Sequence, residues 1–147
     1  MDNILDIVLE KWKQLTAFSK KEEIKELLWD EILYRYSEQH RHYHNLAHLA
    51  HLFSLCDKNM DRIKNPAVMG FAIIYHDIVY DTYRQDNEEQ SAVIAGQHLK
   101  ELNINASLIE NVQVYINATK NHIVPAGFPL QNDLALFLDF DMAILAT

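Results

Sequence analysis

Residues 65–80 read NPAVMGFAIIYHDIVY. Asn65 offers a side-chain cap and Pro66 fits the first turn, so the pair predicts a helix start. The apolar run that follows shows no strict alternation and is longer than an ordinary strand, which predicts a helix buried on most of its circumference. The run ends on His76-Asp77, two side chains that are costly to bury without partners.

Working outward, the other segments also read as helices. Toward the N-terminus, Ile4, Val8, Trp12 and Leu15 keep helical spacing. Ser19 with Glu22 predicts a capping box ahead of Ile24, Leu27, Leu28, Ile32 and Leu33. A third helix is expected from about Tyr43 to Asp57, with Leu46, Leu49, Phe53 and Cys56 on one stripe and His44, His48, His51 and Leu55 on another. Toward the C-terminus, Asp86 with Glu89 opens a helix to about Leu102, and Ser107 with Glu110 opens one to about Lys120. Residues 121–132, NHIVPAGFPLQN, read as a loop, after which Asn132 or Asp133 caps a last helix, DLALFLDFDMAILA. Taken alone, the runs around Ile73 and Leu136 would also suit buried strands, but length and capping favour helix. The expected architecture is all-α, one helical domain over residues 1–147.

Composition narrows the function. Hydrophobic residues make up 49% and charged residues 23%, a globular balance, and three Gly with three Pro leave room for long helices. The single Cys56 excludes an internal disulfide framework and a cysteine-rich zinc site, and a reducing, cytoplasmic setting is the simplest reading. No secretory start or spanning run is expected, so no membrane partner is expected either. A net charge of -8 argues against broad nucleic-acid binding. It remains compatible with a small phosphorylated substrate if a cation sits between protein carboxylates and phosphate. Four of the eight histidines, His40, His42, His44 and His48, fall within nine positions, with His51 following.

For His76-Asp77 the plain structural reading is that Asp77 caps locally and His76 donates to a carbonyl. The chemical reading gains weight from position: His44 lies on an earlier histidine-rich helix and Asp141 on a later apolar one, so imidazoles and carboxylates can converge from three helices. Phe137, Leu138, Ile144 and Leu145 flank Asp141 at helical offsets, which predicts a buried carboxylate in need of a cation. Asp139 competes for that role, with Ala135, Leu136, Met142 and Ala143 around it. These ligand types form a nitrogen and oxygen set without thiolate, suited to Mn, Fe, Co, Ni or Zn and less particular to Mg.

RHYHNLAH (41–48), FAIIYHDIVYD (71–81), DNEEQSA (86–92), TKNH (119–122) and FLDFDMAIL (137–145) together resemble the predicted metal-dependent phosphohydrolases of the HD-domain superfamily, over about Tyr36 to the C-terminus. The resemblance implies an HD-domain-like helical bundle in which His44, His76, Asp77 and Asp141 bind one divalent metal. YHNLAH holds two candidates for the first ligand, so His48 is the alternative to His44, or lies just behind the ligands, or serves a second metal. That Asp77 and its neighbour His76 share one ion is implied by the family, since adjacent helical residues point about 100° apart. The implied activity is hydrolysis of a phosphoester by metal-activated water, with Asp77 at the catalytic centre. Glu88 or Glu89 would handle the proton, unless both are ordinary acidic residues at a helix start. Arg41, Arg84 and Lys120 are candidates to neutralise phosphate, and His122 to contact substrate or metal.

Two other functional classes fit the same residues: a non-catalytic nucleotide- or metal-binding regulatory module on the same scaffold, and a helical protein-interaction domain with a solvated histidine face. The resemblance also implies further helices beyond the Asp141 motif. The expectation is therefore a shortened bundle whose last helix, apolar around almost its whole circumference, exceeds what one packing partner covers and supports a homo-oligomer.

Overall fold

The computed structural model describes residues 3–41 and 44–145. Among them the regular structure is helical: α1 (Ile4–Leu15), α2 (Glu22–Tyr36), α3 (Leu46–Lys58), α4 (Pro66–Tyr75), α5 (Asn87–Glu101), α6 (Ala106–Ala118) and α7 (Gln131–Leu145), with a short 3-10 turn at Met60–Arg62. The chain is thus all-α, as expected. No helix among the described residues is long and apolar enough to cross a membrane.

α4 is the axis around which the rest is arranged. Its residues from Val68 to Tyr75 are all buried, and it packs against α1, α3, α5, α6 and α7. A helix that is apolar all round can be stable in water only when neighbours cover every face. Gly70 permits one of these approaches, because a Cβ there would stand 2.6 Å from Leu15 Cδ2 of α1. One apolar cluster draws residues from all seven helices, including Trp12, Ile32, Leu49, Ile73, Leu99, Ile116 and Phe137. Each such large side chain contributes about 1.5–3 kcal/mol relative to exposure.

Helix starts differ from the sequence expectations where another residue offers better geometry. α2 begins after Lys21, and the Ser19 hydroxyl accepts from the Lys21 N–H instead of forming a box with Glu22. α6 is capped by Asn105, whose side chain accepts from the Leu108 N–H, so Ser107 lies inside the helix. Asp86 precedes α5 but makes no cap bond, because Arg84 and Gln90 take its carboxylate. α3 is capped by Asn45, and Tyr43, the expected start, lies outside the described residues, as does His42.

α7 starts at Gln131, ahead of both expected caps. Asp133 is instead buried and accepts from the Lys64 and Asn65 N–H groups at 3.1 and 2.9 Å, tying α7 to the start of α4. α3, α4 and α6 all pack against α7, and Leu134, Leu136, Phe137, Leu138 and Phe140 are buried. Met142 remains exposed.

Candidate metal centre

The end of α4 sets up the site. The helix stops at Tyr75, His76 caps it, and Asp77 enters a turn. The last carbonyls of a helix lack partners within it, and side chains from elsewhere supply them here. The His76 Nδ1–H donates to Ile73 O at 2.8 Å, and the Tyr36 hydroxyl donates to Ile74 O at 2.6 Å. Tyr36 also accepts from the Asp77 N–H. Arg41 closes the turn by donating to Asp77 O at 2.6 Å and Ile78 O at 2.7 Å, its guanidinium lying against the Tyr36 ring.

Farther along, the α5 residues of DNEEQSA hold the same loop. The Val79 N–H donates to Ser91 Oγ, while Asn87 exchanges two hydrogen bonds with the Asp81 backbone. The segments flanking His76-Asp77 therefore fix its backbone, and the two side chains point into one space.

In that space the nearest nitrogen from α3 is His48 Nε2, which lies 3.3 Å from His76 Nε2 and 3.2 Å from Asp141 Oδ1. His76 Nε2 is 3.5 Å from Asp141 Oδ1. His48, His76 and Asp141 are buried and form a cluster that could hold a metal ion. Three donors about 2.1 Å from one ion stand ~3.0 Å apart at right angles and ~3.4 Å apart at tetrahedral angles, so separations of 3.2–3.5 Å suit a shared cation. Asp77 flanks the group: its Oδ2 is 3.3 Å from His76 Nε2 and 3.7 Å from His48 Nε2.

Hydrogen-bond chemistry also fits a cation. With Nδ1–H committed to Ile73 O, the neutral His76 ring presents a bare lone pair from Nε2. His48 Nδ1 is buried without a partner among the described residues. Leaving its hydrogen unpaired so that Nε2 can act as a ligand costs about 1–3 kcal/mol. Burial tends to raise both carboxyls, but His76 and His44 hold Asp77 well below the usual carboxylate range, and His48 with His76 does the same for Asp141. Burial would lower His76, yet the charges of Asp77 and Asp141 hold its imidazolium well above the ordinary range. The pocket is built around positive charge, which either a proton or a metal ion can supply.

The remaining candidates take distinct places. His44 Nδ1 contacts Asp77 Oδ2 at 2.8 Å and its ring stacks on Tyr80, so it meets the group through Asp77. His122 Nε2 lies 3.3 Å from Asp141 Oδ2. Its backbone φ of 56° is left-handed, a conformation that costs most residues about 1 kcal/mol or more. Asp141 is 4% exposed, whereas Asp139 faces solvent.

Of the proposed phosphate cations, Arg41 is buried on backbone carbonyls and Glu38. Arg84 forms an exposed pair with Asp86, and Lys120 bonds Gln85 O and Glu89. Glu89 is thus paired, and Glu88 is half-buried. Sequence reading missed Tyr36, whose hydroxyl acts on residues 38 and 41 positions away. No local spacing carries such a signal.

No protein-family model, curated protein or solved structure matches the chain, so the site is read from its own residues.

Proposed function

We propose that this protein is a metal-dependent phosphohydrolase of the HD-domain type, acting on a small phosphoester. The observation that carries the reading is the buried convergence of His48, His76 and Asp141 from α3, the end of α4 and α7, with Asp77 beside them. The donor set holds nitrogen and carboxylate oxygen without thiolate, which suits Mn, Fe, Co, Ni or Zn. When bound, such an ion lowers the pKa of water and polarises a phosphoryl oxygen.

The chain's own residues supply the rest. His48, His76 and Asp141 hold the ion, Asp77 lies close enough to join them, and His44 orients Asp77. Glu88 is the acidic residue left to manage a proton, because Glu89 is engaged by Lys120. A net charge of -8 makes the cation the means by which an acidic protein accepts a phosphate. A cytoplasmic setting belongs to the same proposal and fits the one buried, unpaired Cys56.

One observation favours a second reading, a metal-binding regulatory module without turnover: Arg41, Arg84 and Lys120 already have partners within the chain. Elemental analysis of the purified protein, followed by a metal-supplemented panel of nucleotides, sugar phosphates and phosphodiesters, separates the readings. About one ion per chain with chelator-sensitive hydrolysis is expected. A bound ion with no turnover across the panel favours the module, and no stoichiometric ion rejects both.

A further inference from the structure

Asp141 uses its two oxygens differently. Oδ1 faces His48 and His76 at 3.2 and 3.5 Å, while Oδ2 is 3.3 Å from His122 Nε2. A carboxylate free to rotate would present either oxygen, or both, to an ion. A donor fixed on one oxygen removes that freedom and leaves the other as a single, directed ligand.

His122 arrives in an unusual way. α6 ends at Ala118, and the chain turns so that the His122 N–H donates to Ala118 O at 2.7 Å. In closing this turn His122 takes a φ of 56°, one of two non-glycine residues with positive φ among those described. The other, Asn103, follows α5, and asparagine tolerates this region well. At 122 the chain keeps a ring on a backbone that glycine would adopt more readily, and the ring is aimed at a buried carboxylate. Strain of this kind gathers at sites where geometry is needed for function.

We propose that His122 is a positioning residue of the metal centre, holding Asp141 by Oδ2 so that Oδ1 is presented to the ion shared with His48 and His76. The inference rests on the metal-centre reading and assigns His122 a role other than substrate contact. It separates the cost of the backbone from the benefit of the ring, and the two can be measured independently.

The experiment compares the parent chain with His122→Ala, His122→Gly and His122→Gln, reading Mn(II) affinity from the free-ion resonance signal and thermal midpoint from circular dichroism. The alanine and glycine variants, which lack any donor at this position, should bind Mn(II) roughly 10-fold more weakly. The glycine variant should nevertheless melt above the alanine variant, because it relieves the left-handed backbone. Glutamine places an amide nitrogen near the position of Nε2 and should recover most of the affinity. Equal affinity in the parent and His122→Ala overturns the inference, as does glycine restoring affinity together with stability, which marks a purely structural role. A parent that binds neither Mn(II) nor Zn(II) overturns the metal-centre reading itself and this inference with it.

Discussion

Tyr75 and His76 are neighbours in sequence, yet they lead into two buried histidine networks of opposite character. Tyr75 donates its hydroxyl hydrogen to His98 Nδ1 at 2.7 Å, and His98 Nε2–H donates to Glu31 at 3.0 Å. Every polar atom in that chain has a partner, and hydrogens alternate with lone pairs from the core to the surface. On the other side, His76 Nε2 faces a second imidazole nitrogen and two carboxylates. With its Nδ1–H on Ile73 O, a neutral His76 has no hydrogen on Nε2 to give either carboxylate. Burial, opposed by the Glu31 charge, lowers His98, whereas the two aspartates raise His76 against burial. A closed hydrogen-bond chain needs nothing further, while converging donors and negative charge call for a cation.

The largest effect that could break this contrast is loss of metal. His76→Ala and Asp77→Ala are each expected to reduce bound metal to background while far-ultraviolet circular dichroism stays helical, and His98→Leu should retain the parental content. Metal content unchanged in His76→Ala would remove the distinction between the networks. His48→Ala should lose more metal than His44→Ala, since His48 lies in the cluster and His44 meets it through Asp77. With free ion at 100 times Kd, binding stabilises the native state by about 2.7 kcal/mol, so chelation should lower Tm by roughly 5–10 °C.

Next in size is the difference between the two aspartates of α7. Asp141→Asn should weaken metal binding, and with it the proposed hydrolysis, whereas the exposed Asp139→Asn should change stability by no more than about 0.5 kcal/mol and leave metal binding intact. The reverse outcome in binding assays would transfer the ligand role to Asp139.

The structural network predicts a smaller change of another kind. His98→Leu leaves the Tyr75 hydroxyl buried without its acceptor, and urea titration should show a loss of about 1–3 kcal/mol. His98 is held below its ordinary value, so the unfolded chain binds the proton more readily. The stability this histidine contributes is complete above its unfolded value of about 6.5 and is lost as pH falls through the folded value. The gap between the parent and His98→Leu should therefore narrow on going from pH 7.5 to pH 5. A gap that widens would show that His98 is charged in the native state.

The smallest expected effect is a lack of reaction. Burial pushes the Cys56 thiol up to about 12, so a thiol reagent at pH 8 should label native protein far more slowly than unfolded protein.

Much of this was legible in the sequence because helix periodicity is local. The Asn65-Pro66 start, the burial of residues 68–75 and the contrast between Asp141 and Asp139 all follow from neighbours three or four positions apart. The helices came with their starts slightly misplaced. Ser107 and Asn105 both suit a cap, and the choice depends on where the preceding loop delivers the chain.

Tertiary structure decided which groups meet. Nothing within YHNLAH distinguishes His44 from His48 until α7 brings Asp141 beside one of them from 93 residues away. Arg41 resembles an exposed cation in the sequence, but the turn that follows α4 brings it the carbonyls of Asp77 and Ile78, 36 and 37 positions along the chain. Asp133 has the character of a cap and instead pins the start of α4 across 68 residues. Local propensity determines which segments become helices, because each hydrogen bond of a helix spans four residues. Side-chain partners are set by how whole helices pack, and one turn of rotation or shift in that packing exchanges one histidine for another.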